Sequence, residues 1–406
     1  MSCLVRLMKV YTCAPEPFPT DERLFARDAG LLCRALQQIG HSTKLVLPAR
    51  ERAGEEPPDL IRASRAQLED SAWWRDLSIE WLVVVGWGFS PHTPMLRAAR
   101  RAQVKVCLIL DSNGVAFPFP HFREGVAASW RKSENVENLL MRPFSTAARV
   151  TYFGVKFFFQ VCLSKYQQMK EVDLLVFQTP QSLYGHCELI RAFGSNPAHF
   201  PMVMLGYPIP DQFATSQKTK PDKSPRKLIA VGRWDAVTVK RPHKLMEIVH
   251  LLLAADPRAS VDIFGLAPAF LASWWEGLPA AMRARIILHG VHPPPAVLGA
   301  MCAAQVLLTT SPAEGLPLVA LEALCAGCTV TGLDSATLPA LRWAAIEGDA
   351  TLAKDDRAAS YVNAILIEFD QWEMGRRDGV AISRKWCSRL LAHNFAHNLV
   401  TRLATQ

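Results

Sequence analysis

The stretch Gln305–Gly332, QVLLTTSPAEGLPLVALEALCAGCTVTG, carries two carboxylates with seven residues between them, Glu314 and Glu322. Val306–Thr310 is short, apolar and β-branched, which predicts a buried strand. Ser311, Pro312 and Gly315 predict a loop. Pro317 suits the first turn of a helix, where the N–H groups lack intrahelical partners in any case. The helix LVALEALCA stops at Gly327, and Thr329–Gly332 predicts a second strand. Such a unit aims the helix N–H groups at the loop and makes an anion site. Acids flanking an anion site suit a ligand with both phosphate and hydroxyls, because phosphate takes the N–H groups while sugar hydroxyls donate to carboxylates. A nucleotide sugar has both. The plainer reading is a doubly wound helix with two solvated acids.

A second cluster lies upstream. In KLIAVGRWDAVTVKRPHKLMEIVHLL a strand, Lys227–Val231, runs into Gly232 and Arg233, then a loop, then Lys240, Arg241 and Pro242 at the head of an apolar-periodic helix. Arg and Lys at the mouth of one strand suit a diphosphate, Arg by bidentate donation and Lys as a point charge. The plainer reading here is a basic surface cluster.

Together the two stretches resemble the family-4 (group 1) retaining glycosyltransferases of GT-B fold. The segment from Glu314 to Gly327 is similar to their E-x7-E signature, and Arg233 with Lys240 is similar to their "GR…K" pair. The resemblance implies an α/β chain of two Rossmann-like, doubly wound domains facing an interdomain cleft. It implies that Glu314 lies near the donor sugar as a catalytic residue and that Glu322 holds the ribose hydroxyls. Arg233 and Lys240 become diphosphate ligands, with Arg241 a rival for the Lys240 role because the loop is longer than usual. Gly265, Gly315, Leu316, Pro317 and Leu318 complete the donor site, and His289–His292 lines the base pocket with no catalytic assignment. Asp111, in the Asp-Ser-Asn-Gly that ends the strand Val104–Leu110, occupies the neighbourhood where relatives carry a histidine–acid pair touching the donor sugar. As a bare residue it reads equally well as a turn or helix cap.

These residues need two α/β units to hold them, and 406 residues suffice. The expected division is an acceptor domain over 1–214, completed by a C-terminal helix over 383–406, a linker at 215–226 that is polar and proline-broken, and a donor domain over 227–382. In the first domain, Leu4–Tyr11 predicts a strand, Asp21–Ile39 a helix and Ser42–Leu47 a strand. Residues 51–76 read as a charged, irregular surface excursion. Trp81–Gly86 and Val104–Leu110 predict buried strands around a basic helix, Met95–Arg101, and Val172–Gln178 and Met202–Leu205 predict two more. The first loop, PEPFPTDER, lacks the glycine pair usual in the family. At the far end, Ser383 predicts a cap, and Trp386, Leu390, Leu391 and Phe395 are spaced to dock a final helix back onto the first domain.

The chain holds 45 Lys+Arg against 37 Asp+Glu, a net +8, of which residues 1–220 supply +6 (26 against 20). That bias favours an anionic surface or nucleotide over a nucleic-acid groove. Residues 138–170 contain Arg142, Arg149, Lys156, Lys165 and Lys170 and no acid. Within them, Lys156, Gln160 and Ser164 recur every four residues on the apolar run 150–164. This is either an interfacial helix on anionic lipid or a core helix with a snorkelling lysine. The run is too short to span a bilayer. The N-terminus reads as a strand rather than a signal peptide. Ten scattered cysteines fit a reducing cytoplasm, with a peripheral place on the inner membrane face as the extension of that expectation. The pair Cys325/Cys328 lacks a second pair or a nearby histidine, so packing is the expected role.

The reaction implied by the resemblance is glycosyl transfer, with retention, from a UDP-, GDP- or ADP-linked sugar to a glycan, lipid-linked or other acceptor. No cofactor beyond the nucleotide sugar and no bound metal is expected, because cations take the metal's electrostatic role. Two other readings are a catalytically degenerate binding or scaffold protein, consistent with the altered first loop, and a sugar-nucleotide epimerase acting on donor alone. A phosphorylase would need a long C-terminal domain, for which there is no room.

Overall fold

The computed structural model describes residues 7–15, 24–49, 56–86, 92–110, 130, 139–156, 162–213 and 225–406, with side chains left out at 153–156. The chain divides into two compact units. One comprises Met1–Pro120, Thr151–Asp211 and Arg389–Gln406; the other comprises His121–Val150 and Gln212–Ser388.

The first unit is built on a seven-stranded parallel sheet in the order β3-β2-β1-β4-β5-β6-β7. The strands are β1 (Val10–Cys13), β2 (Leu45–Pro48), β3 (Leu60–Ala63), β4 (Trp81–Gly86), β5 (Lys105–Leu110), β6 (Leu174–Phe177) and β7 (Met202–Met204). The central strands read as nearly unbroken aliphatic runs because helices cover both faces of a parallel sheet. Val83, Val84, Cys107, Leu108 and Ile109 are all fully buried.

Residues 56–76 are not an irregular excursion. They form the edge strand β3 and two short helices, Arg65–Leu68 and Ser71–Asp76. A capping box between Ser64 and Gln67 starts the first helix, and the Asp70 carboxylate caps the second. Leu68 and Trp74 enter the core, the latter donating its indole N–H to Leu68 O at 2.8 Å. The charges seen in the sequence occupy the outer faces of elements too short to show a period.

The first helix covers Asp28–Gln38 rather than starting at Asp21. Asp28 takes φ +54 and is buried, its carboxylate accepting hydrogen bonds from the Tyr207 hydroxyl and from Arg27 Nε. Of the predicted helix across 150–164, residues 157–161 lie outside the described residues; the helices Arg142–Lys156 and Leu163–Met169 are described on either side of them. Lys165 is buried, which removes it from any lipid-facing row.

The second unit has a five-stranded parallel sheet in the order β10-β9-β8-β11-β12. Its strands are β8 (Lys227–Val231), β9 (Ser260–Phe264), β10 (Ile286–Gly290), β11 (Val306–Leu308) and β12 (Thr329–Thr331). Arg226, just before β8, donates to Asp256, Asp370 and Glu373 at 2.7–2.8 Å and ties the sheet to the helix Ala358–Glu373. Cys328 is packed as expected, its thiol donating to Met301 O at 2.9 Å.

The C-terminus forms two helices, Gly379–Leu390 and Ala392–Ala404. Trp386 belongs to the second unit rather than docking on the first. Its indole donates to Asp349 Oδ2 at 2.7 Å and lies edge-on to Trp343. Leu391 and Phe395 are buried in the first unit, where the backbone of Leu391 bridges to Ile209.

Candidate functional site

In the second sheet the chain proceeds from β8 to β10 on one side, then returns to place β11 and β12 on the other. The reversal lies between β8 and β11. In open parallel sheets, ligands bind at the carboxyl ends of the strands at such a switch point. The loop after β8 carries Arg233 and Lys240, and the loop after β11 carries Glu314, so topology alone brings the two sequence clusters side by side.

They meet directly. Lys240 Nζ lies 2.5 Å from Glu314 Oε1, across 74 positions of sequence. The Ser311 hydroxyl donates to the same carboxylate oxygen, and the Thr310 hydroxyl donates to the backbone oxygen of Lys240. The Glu314 N–H donates to Thr337 O at 3.0 Å, and the Thr337 hydroxyl donates to Pro312 O at 2.8 Å. The acid therefore sits on a loop pinned from two sides. Sequence reading assigned no role to Thr310 or Ser311. The Ser-x-x-Glu spacing is that of a capping box, which joins side chains to backbone N–H groups, so it does not foretell this hydroxyl–carboxylate contact.

Gly315 and Leu316 are half-buried, and Pro317 is buried as the residue preceding the helix Leu318–Cys325. No side chain caps that helix, which leaves its first N–H groups to other acceptors. Glu322 lies one turn in. Its carboxyl makes no hydrogen bond among the described residues, and burial pushes its pKa up to about 7. Lost hydration disfavours the charged form, and no cation among the described residues offsets that loss.

Arg233 is exposed, and its guanidinium makes no ion pair or hydrogen bond among the described residues. The loop that bears it is fixed by Trp234, whose indole donates to Phe264 O at 2.9 Å. Gly265 has φ +112, and a Cβ there would stand 1.8 Å from the carbonyl oxygen of Gly232. Only glycine lets the ends of β8 and β9 approach this closely.

Arg241 pairs with a different acid. Its guanidinium is bidentate to Asp356, at 2.8 and 2.9 Å, and buried. His289 stacks on Phe264 at 4.0 Å between ring centroids and lies 3.3 Å from Asp262, with His292 edge-on to both rings. Asp111, and Asn113 with it, lie outside the described residues. Among the described residues no group of three or more His, Cys, Asp or Glu is arranged to hold a metal ion.

Comparison with known proteins follows the same lines. Residues 225–367 match the family described as "Glycosyl transferases group 1". No curated protein matches the chain in sequence. Among solved structures, the lipopolysaccharide outer core galactosyltransferase WaaB is similar at TM-score 0.62 and 12% identity, covering 98% of this chain and 99% of that one. Sucrose-phosphate synthase from Thermosynechococcus elongatus is similar at 0.59 and 13%, covering 98% of each chain. HepE from Anabaena, in complex with UDP and glucose, is similar at 0.55 and 11%, covering 98% of this chain and 100% of that one. Over residues 225–367 the second unit thus matches the group 1 glycosyl transferases, in a chain that has the GT-B fold of two Rossmann-like parallel sheets.

Proposed function

We propose that the chain is a retaining glycosyltransferase that moves a sugar from a nucleotide sugar to a glycan or lipid-linked acceptor without a bound metal. The observation that carries this is the convergence of Lys240 and Glu314 at the switch point of the second sheet. A cation and an acid in contact there match the two demands of such a donor, a diphosphate that must be neutralised and sugar hydroxyls that must be accepted. In the proposed complex Lys240 and Arg233 hold the diphosphate, and the uncapped start of the helix Leu318–Cys325 adds N–H groups. Together they stabilise the charge that develops on the leaving diphosphate. Glu314, released by Lys240, accepts from the donor sugar. Glu322 accepts from the ribose hydroxyls, a role consistent with its lack of any internal partner. The solved relative from Anabaena, which holds UDP and glucose, supports a nucleotide-sugar donor.

A thermal-shift screen against UDP, GDP, ADP and their sugars tests the proposal. One nucleotide raises the midpoint, and its sugar conjugate turns over in the presence of EDTA. Failure of all three nucleotides to stabilise the protein refutes it, and product formed without any acceptor points to an epimerase instead.

For the acceptor side we propose contact with an anionic membrane. The helix Arg142–Lys156 and the turn before it present Leu140, Met141 and Phe144 to solvent, together with Arg149, in a stretch without a single acid. An apolar surface with a cation beside it and no acid suits the headgroup region. No helix of the described residues is long and apolar enough to cross a membrane.

A further inference from the structure

We infer that Asp356 is a positioning residue for Lys240, acting through Arg241; the inference rests on the donor-site reading above. Lys240 ends a four-residue helix, Val237–Lys240, and Pro242 begins the next, Pro242–Ala255. Arg241 stands alone between them with φ +52 and ψ +61. The ring of a following proline pushes a residue out of the right-handed helical region. Here the displaced residue goes left-handed, a conformation that crowds the Cβ of any residue but glycine. A side chain held firmly from elsewhere is what keeps it there.

The hold is provided by Asp356, which lies in the loop before the helix Ala358–Glu373. It takes both guanidinium nitrogens of Arg241 in a fork, and the Tyr361 hydroxyl donates to its Oδ1 at 3.2 Å. A two-pronged bond fixes the orientation of a guanidinium as well as its position. With the side chain of residue 241 fixed, its backbone torsions are fixed, and so is the direction in which Lys240 leaves the chain toward Glu314. On the other side, the Thr310 hydroxyl holds the Lys240 carbonyl. Lys240 is thus placed between a clamp on its successor and a clamp on its own backbone.

Calorimetric titration of the full chain with UDP, GDP and ADP tests the assignment. The nucleoside diphosphate bound most tightly serves as probe, and its parent nucleoside as control. Asp356→Asn is expected to weaken the diphosphate by about tenfold, as a displacement of a liganding group by a fraction of an ångström would, while leaving the nucleoside unchanged. In a Lys240→Ala background the same substitution should cause no further loss, since the residue through which it acts is gone. Equal loss for diphosphate and nucleoside, full diphosphate affinity in Asp356→Asn, or an additive loss in the Lys240→Ala background each overturns the assignment. If Asp356→Asn does not fold, Arg241→Gly is read in the same way, because glycine adopts the left-handed torsions without strain. Loss of diphosphate affinity there supports the clamp, and retention overturns it. An unaltered protein that binds none of the three nucleotides overturns the donor-site reading itself, and the assignment with it.

Discussion

Lys240 and Glu314 pair with each other, and in the proposed complex a diphosphate has to take the lysine over. Two consequences are measurable. Lys240→Ala and Glu314→Gln should each cut turnover by about a hundredfold or more, as loss of a preorganised electrostatic contact does, with the protein still folded by circular dichroism. Glu322 supplies a pH dependence. Its folded pKa of about 7 lies above the ordinary 4.5, so the folded state holds its proton to higher pH than the unfolded chain. Its contribution is therefore fully present below about pH 4.5 and is lost as pH rises through 7, worth up to about 3 kcal/mol. Between pH 5 and 8 the nucleotide-free protein should lose stability in chemical denaturation, and Glu322→Gln should flatten that slope. Ribose hydroxyls donate best to the ionised form, so nucleotide affinity should rise over the same interval. The acids and cations themselves were legible in the sequence, because their spacing places them at strand ends and a helix start. The partnership of Arg241 with Asp356 was not. It joins residues 115 positions apart and depends on one backbone torsion, which no residue pattern encodes.

At the scale of elements, long aliphatic runs announced themselves. Trp81–Gly86 and Lys227–Val231 are strands over the residues expected, since burial on both faces leaves an unbroken apolar signature. Short elements hid. The strand Leu60–Ala63 and the two helices after it bury only a few residues each, and their outer faces supplied the charges that suggested a loop. The same lesson applies to Arg226. In the sequence it belonged to a polar linker, yet it is buried at the foot of β8 among Asp256, Asp370 and Glu373. Removing it leaves Asp256, itself buried, with only the looser contact of Arg258 at 3.9 Å. Arg226→Ala should therefore destabilise the second unit by about 3 kcal/mol or more, read as an earlier denaturant midpoint. A stability equal to that of the unaltered protein would show that the network contributes little. At the ends of β8 and β9, Gly265→Ala should lower nucleotide affinity, because its Cβ collides with the carbonyl of Gly232 and forces the Arg233 loop outward. An unchanged titration would remove that loop from the donor site.

For the molecule as a whole, net charge and exposed apolar residues make a separate prediction. Replacing Leu140 and Phe144 with serine, or Arg142 and Arg149 with glutamate, should reduce co-flotation with vesicles containing anionic phosphatidylglycerol while leaving nucleotide binding intact. Equal flotation of all variants would dissociate this helix from any lipid surface.

The last eighteen residues, Arg389–Gln406, belong to the first unit, while the 177 residues before them, Gln212–Ser388, belong to the second. The helix Ala392–Ala404 buries Phe395, Leu399, Val400 and Leu403, and it packs against the helix Asp28–Gln38. During translation, then, the half that is synthesised first is finished last. A nascent chain must keep the apolar side of Asp28–Gln38 uncovered until residues 392–404 have emerged from the ribosome, a period in which the growing polypeptide is open to aggregation and to chaperones. A premature stop codon after position 388 would leave the whole second unit encoded and still strip the first of a wall.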